Sequence, residues 1–298
     1  MAEDPPIMRA GRCAIVGRPN VGKSTLLNQL LGQKLVIATS RPGTTRAAVL
    51  GVFVQDDPPT QIAFVDTPGL AKPKTVLHQV LVEQAHIGLT DADVVLLVIE
   101  APAPGRGAMD VVHPGDQSVI DTLAEVKAPV VLAVNKVDRI KDKRLLLPLM
   151  AAYSAAVSAE DSGRTFEGIV PISATKGLQM KELVEELRRH LPEGAMYDAD
   201  FLTDRPERFF VSELIREAAI RQTRAEVPYG VAVVVETYEE GPTIRIGASL
   251  IVEKKSHKGM LIGARGSRIK EIGIEARQAI QTFLDHKVHL ELFVKVQE

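Results

Sequence analysis

Gly17-Arg-Pro-Asn-Val-Gly-Lys-Ser24 is the stretch on which the fold turns. It has the form G-x-x-x-x-G-K-S, a phosphate-binding loop if a strand precedes it and a helix follows. Both are legible. Arg12-Cys-Ala-Ile-Val16 is a short apolar run, and Thr25-Leu-Leu-Asn-Gln-Leu-Leu31 has helical spacing closed by Gly32. Gly17 and Gly22 let the backbone turn its amides onto a phosphate, the helix N-terminus adds a positive field, and Lys23 reaches the outer phosphates. Arg18, Pro19, Asn20 and Val21 complete the loop, and Ser24 offers a hydroxyl to Mg2+. A glycine-rich turn ahead of a helix is the competing reading, and the flanking strand and helix weigh against it. The loop alone accepts ATP or GTP.

Beyond the loop, 298 residues with 45% hydrophobic and 25% charged composition are enough for two globular domains. The net charge of −2 does not by itself argue for a polyanionic partner, although Lys and Arg slightly outnumber Asp and Glu from Arg205 onward. Cys13 is the sole cysteine, so no disulfide framework exists and a reducing, cytoplasmic compartment is expected. Met-Ala-Glu-Asp-Pro-Pro at the start has neither the basic nor the apolar region of a signal peptide. The weakly polar stretch 145–157 is interrupted by Pro148 and Ser154 and falls short of the ~20 residues of a spanning helix. His286 and His289 lack acidic or cysteine partners at metal spacing, so the histidines read as surface or packing residues.

Short apolar runs at 62–65, 94–99, 130–134 and 169–172 alternate with amphipathic segments such as 181–190. That alternation predicts an α/β domain with a mostly parallel sheet covered by helices on both faces. One exception is expected at 49–64, where two strand-like runs flank Asp56-Asp-Pro-Pro59 as an antiparallel edge hairpin.

Three further motifs follow strands. Asp66-Thr67-Pro68-Gly69 begins 42 residues beyond Ser24; its carboxylate would bind Mg2+ through water, and the Gly69 amide can approach the terminal phosphate. Asn135-Lys136-Val137-Asp138 decides the base, because an aspartate there accepts two hydrogen bonds from N1 and N2 of guanine, a pair adenine cannot offer. Such a site discriminates by roughly 10⁴ or more, since the wrong base leaves its carboxylate unsatisfied. Lys136 would lie against the base, and Ser173-Ala174-Thr175 would present the Ala174 amide to the guanine O6. The order of the four motifs predicts a guanine-nucleotide domain over 1–191.

Arg41-Pro-Gly-Thr-Thr-Arg46 has the character of a loop folding over Mg2+ and the terminal phosphate, with Thr45 as the second metal hydroxyl and Thr44 as the fallback. Many GTP switches place Gln directly after Asp-x-x-Gly to orient the attacking water; here Leu70 stands there and cannot do so. Water positioning therefore falls to another residue, a partner, or a monovalent cation such as K+ held by the Asn20 amide oxygen. Lys23, Thr45, Gly69 and Asn20 are the candidate catalytic set; a turn-favouring role for Asn20 weighs equally.

A polar connector punctuated by Pro192, Gly194, Asp198, Asp200 and Asp204 spans 192–205. After it, 206–298 reads helix, strand, strand, helix, helix, strand: 207–224, 231–238, 243–253, a short helical turn from Ser256, 267–285 and 288–296. Ile262-Gly263-Ala264-Arg265-Gly266 is a G-x-x-G loop, and between Lys254 and Lys270 stand six Lys or Arg and no acid. Two glycines at that spacing admit a nucleic-acid backbone and let an apolar groove hold about four unpaired bases, as in K-homology domains. Lys258, Gly259, Ile262, Gly263, Ala264, Arg265, Gly266, Arg268 and Lys270 are the candidate RNA-binding residues; DNA is not excluded by them.

Over nearly its whole length the chain resembles the Era family of bacterial GTPases. Besides the nucleotide motifs, Leu202-Thr-Asp-Arg205, Glu226-Val-Pro-Tyr229, Ile272-Gly-Ile-Glu-Ala-Arg277 and Val288-His-Leu-Glu-Leu292 are similar to that family's second domain. The resemblance implies a P-loop GTPase domain followed by an α+β type II K-homology domain, with GTP/GDP and Mg2+ as cofactors. It further implies binding to the 3′ end of small-subunit ribosomal RNA and assembly of the 30S subunit, in a monomer with peripheral inner-membrane contact. Leu70 is also usual in that family. Three features depart from it: a Pro- and Gly-rich insertion at 101–116, Ala264-Arg265 where Lys and a small residue are frequent, and an end at Glu298 that would weaken the RNA grip. The alternative is a GTP-dependent RNA-binding switch with another structured RNA as target and little turnover. A transporter, a transfer-RNA-modifying enzyme and a tandem GTPase would each need a segment that the chain does not show.

Overall fold

The computed structural model describes residues 7–37, 48–66, 89–102, 110–158, 164–198, 201–223 and 230–297. Contacts divide the chain into two compact units, the first ending at Asp204 and the second starting at Arg205. In the first, β1 (Arg9–Val16), β2 (Val49–Asp56), β3 (Pro59–Asp66), β4 (Val94–Glu100), β5 (Val130–Asn135) and β6 (Gly168–Pro171) form one sheet in the order β2-β3-β1-β4-β5-β6. β3, β1, β4, β5 and β6 are parallel. β2 alone is antiparallel, paired with β3 from Val49↔Asp66 to Asp56↔Pro59, which is the edge hairpin the turn residues predict.

β4 is buried from Val94 to Ile99 and β5 along its whole length, as continuous apolar runs require when helices cover both faces. Among the described residues, α1 (Lys23–Leu31), α2 (Pro114–Leu123), α3 (Leu146–Ser158) and α4 (Met180–Arg188) do so. Val119, Ile120 and Leu123 of α2 and Leu149 and Tyr153 of α3 cluster with Val95, Leu97, Leu132 and Val134. The intervening strand residues Cys13, Ile15, Leu96, Val131 and Ala133 point to the other face and are fully buried as well. On that face a methyl added to Gly51 of β2 would lie 2.6 Å from Leu31 of α1, so helix and strand leave no room between them.

The polar connector is not a free tether. Pro192 O accepts from Ala10 N, Gly194 N donates to Met8 O, and Leu202 O accepts from Val52 N at 2.8 Å. Gln61, buried in β3, accepts from Met196 N and Tyr197 N and donates to Tyr197 O at 2.8 Å. The connector thus supplies a hydrogen-bond partner at β2, the edge strand, where an uncovered ladder would invite pairing with another chain.

In the second unit, α5 (Glu207–Gln222), β7 (Ala232–Glu239), β8 (Ile244–Val252), α6 (Lys255–Ile262), α7 (Ser267–Leu284) and β9 (Val288–Val296) follow in order. The sheet runs β7-β8-β9, with β7 antiparallel and β9 parallel to β8. Val211, Leu214 and Ile215 of α5 and Ile272, Ala276 and Ile280 of α7 share one core with Ile246, Ala248 and Leu250 of β8. This is the type II K-homology arrangement. The short helical piece expected from Ser256, ahead of the G-x-x-G loop, forms α6, with Leu261 as its only buried residue. No helix of the described residues is long and apolar enough to cross a membrane.

Candidate nucleotide site and nucleic-acid face

The phosphate-loop motif joins β1 to α1 at the carboxyl end of the parallel sheet, the edge where open α/β folds place their ligands. Gly17 (φ 146°) and Gly22 (φ 105°) adopt backbone that favours glycine. A methyl on Gly17 would fall 2.3 Å from Val98 O, and one on Gly22 would fall 2.4 Å from the Asn135 amide nitrogen. The glycines therefore admit both the curve and the neighbours. Asn20, exposed, also has positive φ (68°), a conformation asparagine tolerates, so its turn-forming role is real. Lys23 is buried and folds back on the loop, its ammonium donating to Gly17 O at 2.8 Å and Arg18 O at 3.2 Å. Burial pushes its pKa down to about 8, partly offset by the charge of Asp66.

Ser24 Oγ donates to Asp66 Oδ2 at 3.0 Å, so the end of β3 meets the first turn of α1. Asn135, at the end of β5, binds the loops together. Its Nδ2 donates to Val21 O at 2.8 Å, and its Oδ1 accepts from Lys136 N at 2.7 Å and Ala174 N at 3.0 Å. The Ala174 amide is thus directed at Asn135, and no base contact is needed to hold it. Val137 is buried, whereas Asp138 is exposed; Ser173 Oγ donates to Asp138 Oδ1 at 2.6 Å, and this bond first of all holds the carboxyl below its ordinary pKa. Lys136 (φ 65°) reaches back to Asn20 O at 2.7 Å and to Glu100 at 2.9 Å. Thr44, Thr45, Thr67, Pro68, Gly69 and Leu70 lie outside the described residues, as do residues 103–109 of the insertion.

In the second unit, Lys258 and Gly259 lie on α6, Ile262 ends it, and Ala264–Gly266 forms a single helical turn before α7. Gly263 has φ 72°, and a methyl there would lie 2.8 Å from Arg268 Cβ, so the hairpin closes only on glycine. Arg265 (φ 50°) and Gly266 (φ 78°) also have positive φ, and nothing comes within 4 Å of a methyl built on Gly266. Arg268 donates to Met260 O at 2.6 Å, tying the two helices, while Ala264, Arg265 and Lys270 are exposed.

Residues 12–136 match the family described as 50S ribosome-binding GTPase, and residues 226–298 match the KH domain family. The chain is 42% identical over 293 residues to GTPase Era of Trichlorobacter lovleyi, covering 97% of this chain and 93% of that protein. It is 43% identical to GTPase Era of Geobacter metallireducens, covering 100% of this chain and 95% of the relative. The chain belongs to the Era family of GTPases. Among solved structures, Era in complex with MgGDPNP and nucleotides 1506–1542 of 16S ribosomal RNA superposes with a TM-score of 0.87 at 39% identity, covering 97% of this chain and 94% of that one. An Aquifex aeolicus Era variant bound to GDP and AlF4− gives the same TM-score, identity and coverage.

The residues of this Era-family chain suit the ligands named in those structures. The Gly17–Gly22 cradle has no side-chain volume at its two turning points, a buried ammonium stands at the loop, and Ser24 with Asp66 presents the oxygen donors that Mg2+ prefers. Sequence reasoning named Arg18 and Lys136 but missed the acids that hold them at this end of the sheet. Arg18 Nε lies 3.0 Å from Asp116 Oδ1, and Asp116 is fully buried on α2. Glu100, at the end of β4, takes Lys136, Arg139 at 3.1 Å and, more loosely, Arg18 at 3.8 Å.

Proposed function

We propose that this Era-family protein binds GTP with Mg2+ at the carboxyl end of the first sheet and hydrolyses it. Its second unit would hold the 3′ end of small-subunit ribosomal RNA during assembly of the 30S subunit. The observation that carries the nucleotide half is Asn135, whose one amide connects the phosphate loop at Val21 to the 173–174 turn. Phosphate-binding and base-reading segments are thereby held as one surface. Asp138, ionised and oriented by Ser173, offers its carboxylate to the N1 and N2 hydrogens of guanine, and the stem of Lys136 flanks the base.

Lys23 exchanges its carbonyl partners for phosphate oxygens. Ser24 and Asp66, with Thr45, are the residues that would hold Mg2+, which when bound neutralises charge on the β- and γ-phosphates. Leu70 provides no hydrogen bond to water, so we assign water positioning and charge neutralisation to K+ that Asn20 would help to hold, with the Gly69 amide approaching the terminal phosphate. In the second unit the Gly263–Gly266 turn, with Lys258, Arg265 and Lys270, is read as the clamp on the RNA backbone, and Ile262 as part of the apolar groove for bases. Support for this reading comes from the relative solved with the 16S ribosomal RNA fragment. A cytoplasmic monomer with peripheral inner-membrane contact completes the reading, and that contact rests on the family resemblance alone.

The test is base selectivity in Asp138→Asn. The amide replaces an acceptor with a donor that matches the xanthine edge, so preference should move from GTP to xanthosine triphosphate. Unchanged guanine selectivity would remove Asp138 from the base site. Leu70 favours a second reading, a switch with little turnover. Hydrolysis measured with and without RNA, in K+ and in Na+, separates them: acceleration by K+ that requires Asn20 supports the enzyme, and equal slow rates in every arm support the switch.

A further inference from the structure

Arg18 sits second in the phosphate loop, yet its guanidinium turns away from the loop toward α2. There Asp116, whose side chain has no exposed surface, faces Arg18 Nε at 3.0 Å. Tyr153 of α3 donates its hydroxyl to the other carboxylate oxygen at 2.8 Å, and the Tyr153 oxygen lies 3.4 Å from His113 N. The Arg18 stem passes close to Gly115, where an added methyl would lie 3.5 Å from Arg18 Cδ. A buried carboxylate is retained only when its charge is compensated: here the Arg18 guanidinium pairs with Oδ1 as an ion pair, without hydrogen-bond alignment, and Tyr153 supplies a hydrogen bond, to Oδ2.

We infer that Asp116 is a positioning residue for the phosphate loop, acting through Arg18. The inference rests on the nucleotide reading of that loop. The loop's two shoulders are held from opposite sides: Arg18 by Asp116 on α2, and Asn20 O by Lys136 from the base-reading loop. Glu100 contacts both of those cations and Arg139 as well. When Lys23 leaves Gly17 O and Arg18 O for a phosphate, the loop loses its internal ties, and these outer ones keep the amides aimed. Lys23 also feels this pair directly, since the charge of Arg18 disfavours its protonated form and that of Asp116 favours it. The last residues of the Pro- and Gly-rich insertion form the first turn of α2, so the insertion itself carries a residue of the site.

The experiment measures release of fluorescent GDP, chased with unlabelled GDP, from the full chain, alongside melting without nucleotide. The variants are Asp116→Asn, Arg18→Ala, their double combination and Tyr153→Phe. Loss of this buried ion pair at the loop should speed release roughly tenfold in Asp116→Asn and in Arg18→Ala. The double variant should release no faster than the faster single, because one group acts through the other. Tyr153→Phe, which removes one hydroxyl, should move release the same way by less; should Asp116→Asn fail to fold, it carries the test alone. Parental release rates despite a lower melting temperature, or effects that multiply in the double variant, would overturn the inference and leave the nucleotide reading standing. A parent protein that binds no GDP would overturn both.

Discussion

Lys23 titrates near pH 8 in the folded protein because burial disfavours its charge, against an ordinary value of 10.5. Between those values the unfolded chain binds more protons than the folded one, so this group's contribution to stability rises with pH across that window. Phosphate oxygens at the loop restore the charged form. GDP binding at about pH 9 should therefore be accompanied by uptake of up to about one proton at this group. Calorimetric titrations in buffers of different ionisation enthalpy would show it, and Lys23→Met should abolish it; no buffer dependence in the parent would contradict the assignment. Gly22, Lys23 and Asn135 were legible because short motifs bring their functional atoms together across neighbouring strand ends. Asp116 was not. Its partner Arg18 is remote in sequence, and the pairing exists only because α2 lies beside the phosphate loop in the folded sheet.

At the scale of elements, the alternation of apolar runs and amphipathic segments dictated the sheet, and Asp56-Asp-Pro-Pro59 dictated its edge hairpin. Backbone hydrogen bonds have no such signature, which is why the connector reads as a tether and proves to be docked on the first unit. Gln61 makes that docking local and testable. Gln61→Ala leaves Met196 N, Tyr197 N and Tyr197 O without their side-chain partner, and should cost about 1–3 kcal/mol of first-unit stability. Urea unfolding followed in the first unit measures this, and an unchanged midpoint would mean that water replaces the contacts freely. Helix α6 was legible as a short helical piece ahead of the G-x-x-G loop, although it contributes a single buried residue, Leu261.

For the whole molecule, a net charge of −2 conceals a local excess of cations around the G-x-x-G turn, in a unit with its own core. Separate cores let the two activities be altered independently. Backbone contacts supply much of RNA affinity, and each cation that neutralises a phosphate also releases counterions. Replacing Ala264 and Arg265 together by Asp adds negative charge at the exposed turn and removes its cation. The most direct test is a titration of single-stranded RNA carrying the small-subunit 3′ end at two salt concentrations, for the parent and for Ala264→Asp/Arg265→Asp. The account predicts a sharp fall in RNA affinity and a shallower salt dependence, with GTP affinity unchanged. Equal affinity and equal salt slope in the two proteins would contradict it.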